Sequence, residues 1–218
     1  GRDKCENQKK YGIIWSFTEF SKERIYVSFK LILVIYIVME RGLFRMGMVS
    51  NDFHKIMMER RSIRAYDEAV KIQQEEMAQI LTEATSAPSS VNMQPWRFVV
   101  VESSEGKAKL RPLVGSNVLQ NDTSAAMILL FGDRNCFAYS ADIYGVAVER
   151  GLMPKEVEER QLKNLKHHYE TISPDHLKET LLIDGGLVAM QLMLVAREHG
   201  YDTNAIGGFK KELLAEAF

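Results

Sequence analysis

Residues 181–196 are apolar almost without a break, interrupted only by Asp184, Gly185, Gly186 and Gln191. Ser173-Pro174-Asp175 supplies a helix start with proline in the first turn, and Gly200 supplies a stop, so a helix is predicted over residues 175–199. A helix that is apolar all round has no face to offer water and must lie in a core or an interface. The apolar run is sixteen residues with an aspartate inside it; a bilayer span needs about 20. A protein interior is therefore the expected setting. Gly185-Gly186 would admit a second helix at close range, as across a subunit boundary.

The rest of the chain must supply what packs around that helix. Asp52 can cap a short helix to about Arg60, with Phe53, Ile56 and Met57 on one face. A second helix is predicted over 73–86, where Met77, Ile80, Leu81 and Ala84 keep helical spacing and Pro88 forbids continuation. Residues 97–101 (RFVVV) and 125–131 (AAMILLF) read as buried strands, the second closed by Gly132. Helices are expected over 104–113, 139–150 and 154–170, and a short strand over 201–206. Strands alternating with helices point to an α+β or α/β fold around a central sheet.

Residues 1–47 read differently. Ile25 to Met39 is apolar and β-branched with Lys30 inside it, and its unbroken part, Leu31 to Met39, is nine residues. That is too short to span a bilayer, and no A-x-A-like cleavage site follows. The expected organisation is an atypical extension over 1–47 and a domain over 48–218, starting at Met46 or Met48. An apolar anchor or an added edge strand is the alternative for the extension. Residues 210–218 (KKELLAEAF) read as the opening of a helix with no capping glycine after it, so the domain is expected to lack its natural C-terminal end.

Composition narrows the function. The net charge of -1 argues against nucleic-acid binding. The two cysteines, Cys5 and Cys136, show no metal-binding spacing and fit a reducing, cytoplasmic setting. No Ser-His-Asp order, H-E-x-x-H or Cys-His pairing occurs, and no P-loop or G-x-G-x-x-G. His167-His168 falls in a charged helix, and His54, His176 and His199 have no evident partner in the sequence.

Three segments can carry chemistry. In 60–66 (RRSIRAY), Arg60, Arg61, Ser62 and Arg64 can bind a dianionic phosphate through charge-assisted bonds. Extended backbone would put Arg60, Ser62 and Arg64 on one face and Arg61 elsewhere. From this segment alone a solvated basic turn is the plainer reading. In 87–96 (APSSVNMQPW), two prolines stiffen a loop rich in donors and acceptors, or else make a capped turn anchored by Trp96. In 205–209 (AIGGF), two glycines between a strand and a helix permit close backbone approach to a ligand, although a lone Gly-Gly is a weak signal.

Together the segments RRSIRAY, PSSVNMQPWRF and IGGF, in this order and at these separations, resemble the nitroreductase-like FMN oxidoreductases over about residues 52–218. The resemblance implies an α+β fold, an intertwined homodimer and FMN at the dimer interface. It implies that Arg60, Arg61, Ser62 and Arg64 hold the FMN phosphate, ribityl chain and pyrimidine edge. It implies that Pro88, Ser89, Ser90, Asn92 and Gln94 come largely from the second subunit. Ile206, Gly207 and Gly208 would lie against the isoalloxazine, with Asn117 a further contact and the long helix central to the dimer. The implied activity is ping-pong transfer from NAD(P)H to a nitroaromatic, a quinone or a similar acceptor, with no side chain named as catalytic and no metal. The chain departs from the pattern in two places: relatives continue past Phe218 into a strand and a basic segment, and many carry Glu where Gly207 stands. An impaired flavin binder, or a flavin enzyme for dehalogenation or flavin breakdown, is the alternative.

Overall fold

The computed structural model describes residues 51–218 and the backbone of 37–38 and 40–41. The expectations of an extension over 1–47 and a start at Met46 or Met48 fall almost wholly outside the described residues. In chain order the elements are β1 (Ile37–Val38), β2 (Glu40–Arg41), α1 (Phe53–Glu59), α2 (Gln74–Ala84), β3 (Trp96–Val101), α3 (Ser104–Leu110), α4 (Val118–Thr123), β4 (Met127–Gly132), α5 (Ser140–Glu149), α6 (Lys155–Thr171), α7 (Pro174–Glu198), β5 (Tyr201–Asp202) and α8 (Lys211–Ala217).

β4 is the axis of the sheet. It pairs antiparallel with β3, from Trp96↔Gly132 to Val101↔Met127, and on its other edge with β1. β2 pairs antiparallel with β5, which follows the end of α7. Every residue of β4 is buried. Side chains alternate across a strand, and both faces are used. Met127, Leu129 and Phe131 pack with Leu110, Val114, Ile206 and Leu214. On the opposite face Ile128 packs with Ile80 and Leu192 from α2 and α7, and Leu130 packs with Trp96 and Val188. A strand buried on both faces explains the continuous apolar run AAMILLF.

α7 starts as expected, with Ser173 Oγ accepting from His176 N at 3.2 Å and Pro174 in the first turn. A Cβ at Gly132 would sit 3.4 Å from Leu181 Cβ, an ordinary contact that places the helix directly against the end of β4. Leu181, Val188, Leu192 and Ala196 are buried, each worth about 1–3 kcal/mol by area. The other side of the helix is apolar too, yet Ile183 is 65% exposed, and Leu187 and Met190 are exposed with it. Half of the helix therefore sits in this chain's core, and the other half forms a stripe at i, i+4, i+7 spacing that a monomer leaves in water. By length and composition α7 could also cross a membrane, with a mean hydropathy of 1.5 over 18 residues, 44% of that window being buried inside the protein. Its packing against α2 and the sheet is that of a core helix.

Several local expectations shift. α1 buries Ile56 alone of its expected face, leaving Phe53 and Met57 exposed. The helix over 104–113 gives way to a 3-10 turn at Arg111–Leu113, where Pro112 offers no amide hydrogen. The strand expected over 201–206 is continuous only at Tyr201–Asp202, with an isolated bridge from Thr203 to Ser62 beyond it. α4 was not anticipated from the sequence: its buried residues, Gln120, Asn121 and Thr123, are polar and give no apolar periodicity.

Candidate functional site

The basic segment leaves α1 at once. Asp52 Oδ1 caps that helix by accepting from Lys55 N at 3.1 Å. Arg61 turns back, its Nη1 donating to Met58 O at 2.7 Å and Arg60 O at 2.8 Å, which caps the helix C-terminus. Ser62 then forms a parallel bridge with Thr203, and Ile63 N donates to Thr203 O at 3.2 Å. Ile63 packs on the core while Ser62 and Arg64 face outward, as alternation requires. Neither Arg60 nor Arg64 has a carboxylate partner within ion-pair distance among the described residues.

That bridge brings the first segment beside the third. Ile206 is buried in the core below, while Gly207 and Gly208 are exposed above it. Neither glycine adopts the left-handed backbone region, and a Cβ at Gly207 would meet nothing within 4 Å. Gly208 O accepts from Asn117 Nδ2 at 3.0 Å, and the same amide donates to Val114 O at 3.0 Å. Gly115 has a φ of +58°, and a Cβ there would stand 3.1 Å from Gly208 O. Asn117 and Gly115 thus fix the glycine ledge from beneath. This role for Gly115 was not read from the sequence; a single glycine carries no such signal. Thr203 Oγ1, at the edge of the same segment, is buried without a hydrogen-bond partner among the described residues.

The second segment is a strained loop. Val91, Asn92 and Gln94 have φ of 44°, 56° and 47°, a region costly for any residue with a Cβ and most of all for a β-branched one. Four bonds hold it. Gln94 N donates to Ser89 Oγ at 2.9 Å, Tyr144 OH to Val91 O at 3.1 Å, Asp133 N to Pro95 O at 2.6 Å, and Ser90 N to Asp184 Oδ1 at 2.9 Å. Arg97 and Asp133, paired at 2.6 Å, brace the exit into β3. Pro88, Ser90 and Asn92 are exposed, Ser89 and Gln94 half-buried, and Trp96 is buried. Asp184 is the polar residue that sequence reasoning treated only as a break in an apolar helix. Its partner lies 94 positions away.

One chain does not bring all three segments together. Tyr66 N, at the end of the basic segment, is bonded to Thr123 Oγ1, just before β4, at 3.2 Å. Pro95, at the end of the second segment, is bonded to Asp133, just after β4. Six strand residues lie between these anchors, a span of roughly 20 Å. The Arg60–Arg64 edge lies with the Gly207-Gly208 ledge, and the 88–94 loop lies towards the opposite end of the sheet, so each is a candidate half-site.

His199 has a partner after all. Its Nε2 lies 3.0 Å from Glu83 Oε2 and its Nδ1 3.7 Å from Glu76 Oε1, which ties α7 to α2. Cys136 is buried, and burial pushes its thiol up, away from the reactive thiolate form.

Arg60 and Arg64, without carboxylate partners among the described residues, stand beside bare backbone in an α+β fold, a layout suited to an anionic ligand. The comparisons define it further. The chain belongs to the nitroreductase family, whose model matches residues 57–218. It is 59% identical to YdgI of Bacillus subtilis, which bears an NAD(P)H nitroreductase name, over 78% of this chain and 81% of that protein. It is 39% identical to the CLA biosynthesis enone reductase of Lactiplantibacillus plantarum, over 76% of this chain and 77% of that protein. Among solved structures it resembles a nitroreductase of Exiguobacterium sibiricum in complex with FMN, at a TM-score of 0.76 and 57% identity, covering 78% of this chain and 81% of that one.

Proposed function

We propose that this protein is an FMN-dependent oxidoreductase that takes reducing equivalents from NAD(P)H and delivers them to a small electron-poor acceptor, and that it works as a homodimer. The observation that carries the reading is the pair of complementary half-sites at opposite ends of β4. A second copy docked on the exposed α7 stripe would bring the loop of one chain to the arginine edge of the other. The residues fit the cofactor. Arg60 and Arg64 offer charge-assisted donors to a phosphate, with the Ser62 hydroxyl beside them. Gly207 faces open space in which a flat ring has room to lie against the backbone. Asn92 and Gln94 offer the amide donors and acceptors that suit a pyrimidine edge.

When bound, FMN supplies the hydride acceptor and donor, alternating between NAD(P)H and the second substrate. The chain's own part is to hold the phosphate, orient the ring and leave one face open for two substrates in turn. No side chain is assigned as acid or base. A nitroaromatic or a quinone is the expected acceptor. An activated alkene is the second reading, favoured by the 39% identity to a protein named an enone reductase. A cytoplasmic setting and the absence of membrane and nucleic-acid partners belong to the same reading.

The test is to reconstitute the full chain with FMN, separate it by gel filtration and record the visible spectrum. NAD(P)H oxidation is then followed with a nitroaromatic, a quinone and an α,β-unsaturated ketone. Retained flavin and turnover with one of these are expected. A protein that emerges colourless overturns the proposal.

A further inference from the structure

We infer that Asp184 is a positioning residue for the flavin: its carboxylate, projecting from α7, holds the 89–94 loop in its binding shape and so couples the dimer helix to the cofactor. The inference rests on the proposed function and deepens it. Its starting point is an anomaly. Asp184 is 3% exposed in an apolar stretch of helix, and burying a carboxylate there is costly. Burial pushes the carboxyl up from its ordinary value, and the amide of Ser90 opposes the shift. Packing needs alone would select a leucine or an alanine at this position.

The bond to Ser90 N, at 2.9 Å, explains what the aspartate does. Ser90 opens the turn in which Val91 and Asn92 take left-handed backbone. Such conformations persist only where the surroundings over-determine them. Ser89 Oγ holds the far end of the turn through Gln94 N, Tyr144 OH holds its middle through Val91 O, and Asp184 holds its start. Of these three, Asp184 alone lies on α7. Its chain neighbour Ile183 is the most exposed apolar residue of that helix, and Leu187 stands one turn on. The residue that fixes the loop is thus beside the stripe that a second copy would cover. Seating that copy steadies the stretch of helix from which Asp184 reaches the loop. The Asn92 and Gln94 side chains are then presented in a single arrangement, and FMN does not have to order them on binding.

The experiment compares FMN dissociation constants, read by quenching of flavin fluorescence, for the wild-type protein, Asp184→Ala and Asp184→Asn. Melting temperatures and the visible circular dichroism of bound flavin are measured alongside. Asn keeps an oxygen acceptor where Ala has none. Asp184→Ala is expected to weaken FMN by about tenfold or more and to change the dichroism of the flavin that still binds. Asp184→Asn should restore both to near the wild-type values. Leu192→Ala, a core truncation on the same helix away from the loop, serves as the stability control and should lower the melting temperature without moving the dichroism. If Asp184→Ala fails to fold, Tyr144→Phe tests the same loop from its middle and should weaken FMN in the same direction. Unchanged FMN affinity in Asp184→Ala, or in Tyr144→Phe where that variant stands in, overturns the inference, as does an Asn variant no better than Ala. A wild-type protein that binds no FMN overturns the proposed function instead, so the two failures are distinguishable.

Discussion

Gly115→Ala separates a glycine needed by the fold from one needed by the site. Gly115 sits at a φ of +58°, and an added Cβ would stand 3.1 Å from Gly208 O. A left-handed residue with a Cβ costs about 1–2 kcal/mol, and the contact adds a demand that the Gly208 backbone give by a few tenths of an ångström. That carbonyl is tethered by Asn117 Nδ2 at 3.0 Å, so the displacement passes into the ledge beside Gly207. Gly151 provides a matched comparison: its φ is +68° and a Cβ there meets nothing within 4 Å. Both alanine variants should lose about 1–2 kcal/mol, which for a chain of this size lowers the melting temperature by roughly 2–8 °C. FMN affinity should fall about tenfold in Gly115→Ala and stay unchanged in Gly151→Ala. Calorimetry of the apoprotein and flavin-fluorescence titration measure the two effects independently. Equal FMN affinity in both variants, at equal loss of stability, would refute the idea that Gly115 shapes a binding surface.

Three further outcomes follow from the same geometry. Arg60→Gln and Arg64→Gln should each weaken FMN by about tenfold or more, most strongly at low salt, while leaving riboflavin, which lacks the phosphate, unaffected in parallel titrations. Ile183→Lys with Leu187→Lys should turn a dimer into a monomer on sedimentation and abolish FMN retention; a monomer that keeps its flavin would show that one chain suffices. For Asp184 the folded carboxyl is pushed above its ordinary 3.8 by burial, so the folded state holds that proton more tightly than the unfolded chain. Its contribution to stability therefore falls as pH rises from about 3.8 through the folded value. Asp184→Asn should remove that slope, and denaturant titrations of both proteins across this interval should show their difference in stability growing with pH.

Much of this was legible in the chain. Ser173, Pro174 and Gly200 bracket α7, and Asp52 caps α1, because capping is local chemistry. RFVVV and AAMILLF announce strands that are buried. What stayed hidden is non-local or breaks local preference. Val91 is β-branched and sits at a φ of 44°, against its own propensity, so no reading of the loop could assign its turn. α4 buries Gln120 and Asn121 instead of apolar side chains. The pairings of Ile37–Val38 with β4 and Glu40–Arg41 with β5 join segments far apart in sequence. For the site, the residue types of all three segments were legible. The turning back of Arg61, the support from Asn117 and Gly115, and the grip of Asp184 on Ser90 required the fold.

The placing of the two half-sites at opposite ends of β4 has a genetic consequence. In the proposed dimer, with each cofactor held between the arginine edge of one chain and the loop of the other, two different inactive alleles would rescue each other. In a mixed dimer of an Arg64 variant and a loop variant, one site receives both lesions and its twin receives neither. Random pairing of equal amounts would return about a quarter of the sites to full composition, from two proteins that separately have none.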